Sequence, residues 1–243
     1  MSHVLSPRPG VFFAAIQGEG VLMDVVSDRY IGLTALSTRI WQGFESGLSI
    51  DEIAATVAYE NELDLGDAKE ILSAQVELWK KDKIVAASPT GADDLPNCKD
   101  VSIRPSSDLI SVKARFSGWN VIRLIIAIVW THLVLKRRGL PYVLKRLQLI
   151  SIRDFDQASF AELGASIVAS YKWIRLPFRQ GADDCLQRSL VLMKALRDVG
   201  IDAQISFGVQ KFPFFAHAWV EAQGVAMNES LQVVRKLSVI ARF

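Results

Sequence analysis

Cys185 and His217 are the side chains of this chain best suited to covalent chemistry. Cys185 lies in Asp183-Asp184-Cys185-Leu186, which reads as the opening of a helix, and His217 follows 32 residues later in Ala216-His217-Ala218-Trp219-Val220-Glu221, which reads as a strand. A thiolate is a strong nucleophile and an imidazole can take its proton, so the pair suits attack on a carbonyl carbon. The choice of nucleophile and base is narrow, because the chain holds two cysteines and three histidines. Leu186, Leu190, Met193, Leu196 and Val199 form a helical stripe ending at Gly200, which puts Cys185 at a helix N-terminus. There the helix dipole and the free backbone N–H groups favour a thiolate and could bind an oxyanion. The neighbouring acids raise a thiol pKa, so a histidine must supply the activation. The alternative is an inert cysteine packed under the helix.

A third residue should orient the imidazole. Residues 203–209 alternate as a strand, Phe212-Pro213-Phe214 forms a loop, and residues 216–222 pair with 225–229 across a Gln223-Gly224 turn. In a two-residue hairpin of this position, facing residue numbers sum to 447, so Trp219 meets Asn228. His217, Trp219 and Asn228 then share a face, and the Cys-His-Asn order is that of papain-like enzymes. By the same parity Glu229 faces away unless a bulge intervenes.

The elements around these residues fall into two regions. Residues 11–16, 21–23 and 29–32 predict a three-stranded meander, broken at Gly18-Glu19-Gly20 and Ser27-Asp28. Ser37 can cap a helix over 38–45, and Ser49 with Glu52 forms a capping-box pattern for the next. A third helix spans about 66–81, and residues 83–87 look like a closing strand. Residues 88–111, with three of the chain's eight prolines and no period, read as a linker. Beyond it, 119–136 and 141–149 predict helices joined at Arg138-Gly139, and 155–173 a third.

Half the residues are apolar, enough for packed cores. Two cysteines, without a charged-then-apolar leader, point to a reducing cytoplasm. The apolar run 124–130 is far short of the ~20 residues of a membrane span; it reads as a buried helix, with a membrane-surface segment as the alternative. Net charge is −6 over residues 1–90 and +8 over the rest. The acidic half is poorly suited to phosphate contacts and argues against a DNA-reading winged helix. Lys136, Arg137, Arg138, Lys145, Arg146 and Arg153 crowd one junction, either as a solvated face or as a docking surface for an acidic partner.

The residues also carry a resemblance. Asp184-Cys-Leu-Gln-Arg-Ser-Leu, Leu196-Arg-Asp-Val-Gly-Ile, Pro213-Phe-Phe-Ala-His-Ala-Trp-Val-Glu and Met227-Asn-Glu resemble the transglutaminase-like cysteine peptidases that process lasso peptide precursors. Asp28-Arg-Tyr-Ile-Gly-Leu, Leu36-Ser-Thr-Arg-Ile-Trp and Leu78-Trp-Lys-Lys-Asp-Lys-Ile-Val resemble a winged-helix leader-recognition domain also seen as a pyrroloquinoline quinone chaperone. Together they resemble the fused maturation B proteins of lasso peptide clusters. The resemblance implies an α+β chain: a small winged-helix-like domain of three strands and three helices over 1–88, a linker over 89–111, and a papain- or transglutaminase-like α+β domain over 112–243. It makes Cys185 the nucleophile and His217 the base, with no metal or cofactor. It aligns the third residue, usually aspartate, near Glu229, so Asn228 and Glu229 both stand as candidates.

The implied activity is hydrolysis between leader and core of a precursor peptide in the cytoplasm, freeing an amine for an asparagine-synthetase-like cyclase. Neither nucleic acid nor a transmembrane segment is expected. The leader could add a strand at the edge of 29–32 beside the helix 66–81, with Tyr30, Ile31, Leu72, Val76 and Trp79 as candidate contacts. A transglutaminase-like acyltransferase and a non-catalytic scaffold for the cyclase are the alternatives.

Overall fold

The turns predicted between residues 11 and 33 fold as a meander: β2 (Val11–Ile16), β3 (Glu19–Asp24) and β4 (Arg29–Leu33) pair antiparallel in the order β2-β3-β4. Gln17 and Gly18 take the positive φ that the first two-residue turn requires. This computed structural model describes residues 6–86, 116–175 and 185–243. The predicted linker, Cys98 and the Asp183-Asp184 pair lie outside the described residues. The fold is α+β, and the chain divides into two units, Met1–Leu95 and Pro96–Phe243.

In the first unit, α1 (Ala35–Glu45) starts at Thr34, whose Oγ1 accepts the Ser37 N–H at 3.2 Å. Ser37, predicted as the cap, lies a turn inside and donates to Gln75 at 2.8 Å. The capping box of α2 (Ile50–Asn61) forms as predicted between Ser49 and Glu52. Asp64 caps α3 (Leu65–Lys81). A Cβ on Gly43 of α1 would lie 2.6 Å from Ile53, so α1 and α2 meet through a glycine. The closing strand is short: β5 (Val85–Ala86) pairs with β1 (Ser6–Pro7), a pairing the sequence does not signal.

The core of this unit joins Trp41, Phe44, Leu72, Val76 and Trp79, with Trp41 and Trp79 edge to face at 5.2 Å. Leu72, Val76 and Trp79 are at most 4% exposed. They fill the unit's own interior instead of opening toward a peptide, a correction to their candidacy. Tyr30 and Ile31 lie on β4, the outer strand of the meander, and stay partly exposed.

The second unit begins with α4 (Gly118–Gln148), two helical stretches run together across Gly139 at φ 77 and ψ 173. It continues through α5 (Gln157–Arg175) and α6 (Cys185–Arg197). A four-stranded antiparallel sheet of order β8-β7-β6-β9 follows, from β6 (Ala203–Gln210), β7 (Phe215–Ala222), β8 (Val225–Ala226) and β9 (Ser238–Arg242), with a short α7 (Leu231–Val234) before β9. One side of α6 covers this sheet and another packs on α4. Arg197 ties the layers, donating to the carbonyls of Ala203 at 2.8 Å and of Leu147 and Gln148 at 3.3 Å.

Helix α4 corrects the expectation of a short, buried apolar run. Asn120, Leu124, Ala127 and Thr131 face inward, while the opposite side carries large apolar residues in solvent. The helix is long and apolar enough to cross a membrane by length and composition, and 22% of its most apolar window is buried.

Candidate active site

Folding brings Cys185, His217 and Glu229 together from three elements. Cys185 is the first residue of α6, His217 lies on β7, and Glu229 follows β8. Gly208 of β6 pairs with His217 and places the imidazole on the same face as Phe215 and Trp219. The ring stacks on both: 5.5 Å between centroids and 18° to Phe215, 6.4 Å and 17° to Trp219. Trp219 is itself fixed, because its indole N–H donates to buried Glu221 at 2.7 Å and the Gly208 face leaves no room for a Cβ. The rotation of the imidazole is thereby restricted before substrate arrives.

His217 Nε2 meets Glu229 Oε2 at 2.9 Å, and the side chain of Cys185 interacts with the same imidazole. The hydrogen bond with Cys185, that with Glu229 and the charges of both outweigh burial and push the His217 pKa up to about 9. Burial pushes the Cys185 thiol up, but the His217 hydrogen bond, backbone hydrogen bonds at Ala218 and Leu186 and the His217 charge together bring it below its ordinary value. Both shifts favour a thiolate beside an imidazolium.

The third residue is where hairpin parity and the structure part. The register itself is as expected, with Glu221 facing Ala226 and Ala222 facing Val225, each pair summing to 447. The ladder stops after Ala226, however, and only the Met227 N–H to Val220 carbonyl bond at 2.8 Å continues it. Asn228 turns its side chain to the edge of β7: Oδ1 accepts the Val220 N–H at 2.8 Å and Nδ2 donates to Ser189 Oγ at 3.1 Å. Ser189 in turn donates to the Ala218 carbonyl at 2.8 Å. Once Asn228 is spent on that edge, the next residue swings out of the strand, and Glu229 reaches His217.

Ser189 was not singled out in the sequence. Its position four residues after Cys185 on one helix puts both on the same face, and that spacing is the signal that could have found it. Among the described residues, no cluster of three or more His, Cys, Asp or Glu side chains could hold a metal ion. The arrangement can do nucleophilic acyl chemistry: a thiolate, an acid–base group on its flank, and a carboxylate that holds the base.

Comparison with known proteins places this geometry in context. Residues 123–242 match the family model of the transglutaminase-like superfamily. The microcin J25-processing protein McjB of Escherichia coli is 43% identical over 58 residues, which are 24% of this chain and span 28% of that relative's length. A solved structure, TbiB1 in complex with the TbiA(beta) leader peptide, is similar at 24% identity and a TM-score of 0.33, over 35% of this chain and 99% of that one.

Proposed function

We propose that this chain, with its transglutaminase-like segment at residues 123–242, is of the lasso peptide maturation B type and acts as a cytoplasmic cysteine peptidase that cuts between the leader and core of a ribosomally made precursor peptide. The observation that carries this reading is the Cys185–His217–Glu229 relay, with the thiol lowered and the imidazole raised. The processing role named for the relative in Escherichia coli supports the same direction.

The chemistry follows from the proton positions. The Cys185 thiolate attacks the scissile carbonyl, and backbone N–H groups of the first turn of α6 are suited to bind the oxyanion. Protonated His217 gives its proton to the departing amine of the core, leaving a thioester on Cys185. Neutral His217 then takes a proton from water, the hydroxide adds to the thioester, and the leader carboxylate departs as the thiolate re-forms. Glu229 keeps the ring oriented and stabilises its charged form in both halves. Amine attack in place of water would make the enzyme an acyltransferase, and the freed core amine is the group a separate cyclase would consume.

The first unit is assigned leader binding. The outer edge of β4, with Tyr30 and Ile31 partly exposed, is suited to accept an added strand. Holding the leader there raises the effective concentration of the scissile bond at Cys185. The decisive experiment incubates precursor with wild-type and Cys185→Ala protein and reads the products by mass spectrometry. Separate leader acid and core amine from the wild type alone are expected. Core release by Cys185→Ala, or an amine-linked product from the wild type, would reject hydrolysis at this cysteine.

A further inference from the structure

Helix α4 presents to solvent a face as apolar as the one it buries. Trp119, Ile122, Ile126, Val129 and Leu133 recur at spacings of three and four residues and lie on one side, opposite Leu124, Ala127 and Thr131. Trp119 is 78% exposed and Ile126 58% exposed. The stripe runs about 21 Å along the helix. An exposed apolar surface of this kind marks an interaction site.

Charge identifies the partner. From Gly118 to Arg153 the chain contains seven Lys or Arg and no Asp or Glu. Lys136 and Arg137 stand three and four residues after Leu133, so they continue the same face, and both are exposed. Arg138, just before the break at Gly139, and Lys145 and Arg146, past it, are also exposed. A second copy of this chain would bring an equally basic, acid-free helix against this one. An anionic bilayer instead offers acyl chains to the stripe and phosphates to its basic end, and a tryptophan at the other end suits the headgroup boundary. The buried side of α4 remains packed on α6, so the geometry suits a helix lying on the surface and not one crossing it.

We propose that the outward face of α4 docks the second unit on an anionic lipid surface. This inference does not depend on the peptidase reading. It is tested with the full chain by sedimentation with vesicles of equal parts phosphatidylglycerol and phosphatidylcholine, against vesicles of phosphatidylcholine alone, at low and high salt. Association with the anionic vesicles, weakened by salt, is expected. Replacing Lys136 and Arg137 by Gln should weaken it about fivefold per charge. The double variant Ile126→Glu, Val129→Glu, at two solvent-facing positions, should weaken it by at least about tenfold with an unchanged circular dichroism spectrum.

Failure to sediment with anionic vesicles, or undiminished association of the Ile126→Glu, Val129→Glu variant, would overturn the proposal. A dimer in sedimentation velocity that the same variant abolishes, without vesicle binding, would give the face to a second copy instead. Because the cleavage assay of a precursor needs no lipid, failure here leaves the peptidase reading intact.

Discussion

Replacing Glu229 by Gln isolates the part of the relay that charge supplies. Gln retains an oxygen within reach of His217 Nε2, now 2.9 Å from the carboxylate, but loses the negative charge. A hydrogen bond to a charged group is worth about 1.5–3 kcal/mol and a neutral one about 1, so the difference is roughly 1–2 kcal/mol. The Glu229 side chain is 25% exposed, which places the expectation toward the lower end. In kcat/KM this is a loss of about 5- to 30-fold. The pH profile gives the sharper readout. In the proposed mechanism His217 must be protonated to give a proton to the leaving amine, so activity should fall as pH rises through its pKa of about 9. Removing the carboxylate removes a cause that raises this pKa, and the alkaline limb should move down by roughly one pH unit. The acid limb, where the thiolate is lost, should move up, because a less favourable imidazolium supports the thiolate less. The assay is cleavage of a peptide spanning the leader–core junction, paralleled by iodoacetamide alkylation of Cys185 against pH, with Cys185→Ala as the background for Cys98. A Glu229→Gln enzyme with its alkaline limb still at about 9 refutes the assignment of Glu229, and a limb that moves only in Asn228→Asp would transfer the role to Asn228.

Other perturbations address the scaffold. Gly208→Ala would set a Cβ 2.8 Å from the Trp219 ring, and the displaced indole should cost about 1–3 kcal/mol in thermal unfolding and lower turnover through its stack on His217; an unchanged melting temperature would show that the contact is slack. Arg197→Met leaves three inward carbonyls without their donor and should cost about 2–4 kcal/mol in denaturant unfolding, and a loss under 1 kcal/mol, on the order of a surface change, would contradict its role as a tie between α4 and α6. Removing residues 1–88 should weaken cleavage of the full precursor strongly while a short junction peptide reacts about as before; equal losses on both substrates would count against leader binding by the first unit.

What the sequence made legible was local. The meander turns, the Ser49–Glu52 capping box, the break at Gly139 and the helix that carries Cys185 all rest on signals within a few residues, and each forms. What it missed depends on contacts distant along the chain. Ser37 has the chemistry of a cap, yet its hydroxyl is engaged by Gln75, and Thr34 caps instead. Strand β9 pairs with β6 from the far end of the chain, and no local pattern announces it. Leu72, Val76 and Trp79 have a pattern that fits either a groove or a core, and only Trp41 and Phe44 packed against Trp79 decide for the core. On α4, both faces are apolar, so periodicity alone could not tell which one the fold would cover.

The early end of β8 has a bearing on how such a site can vary. A side chain held by strand pairing is confined to one face by the two-residue repeat, and changing its length alone cannot bring it across. Glu229 is free of that constraint because the chain has already left the ladder. Its tether is one asparagine gripping the flank of β7, so the reach of the acid can be traded against the path of the connecting backbone. Such latitude gives a physical reason why, in the proposed relay, a longer carboxylate would serve where the resemblance leads one to expect aspartate.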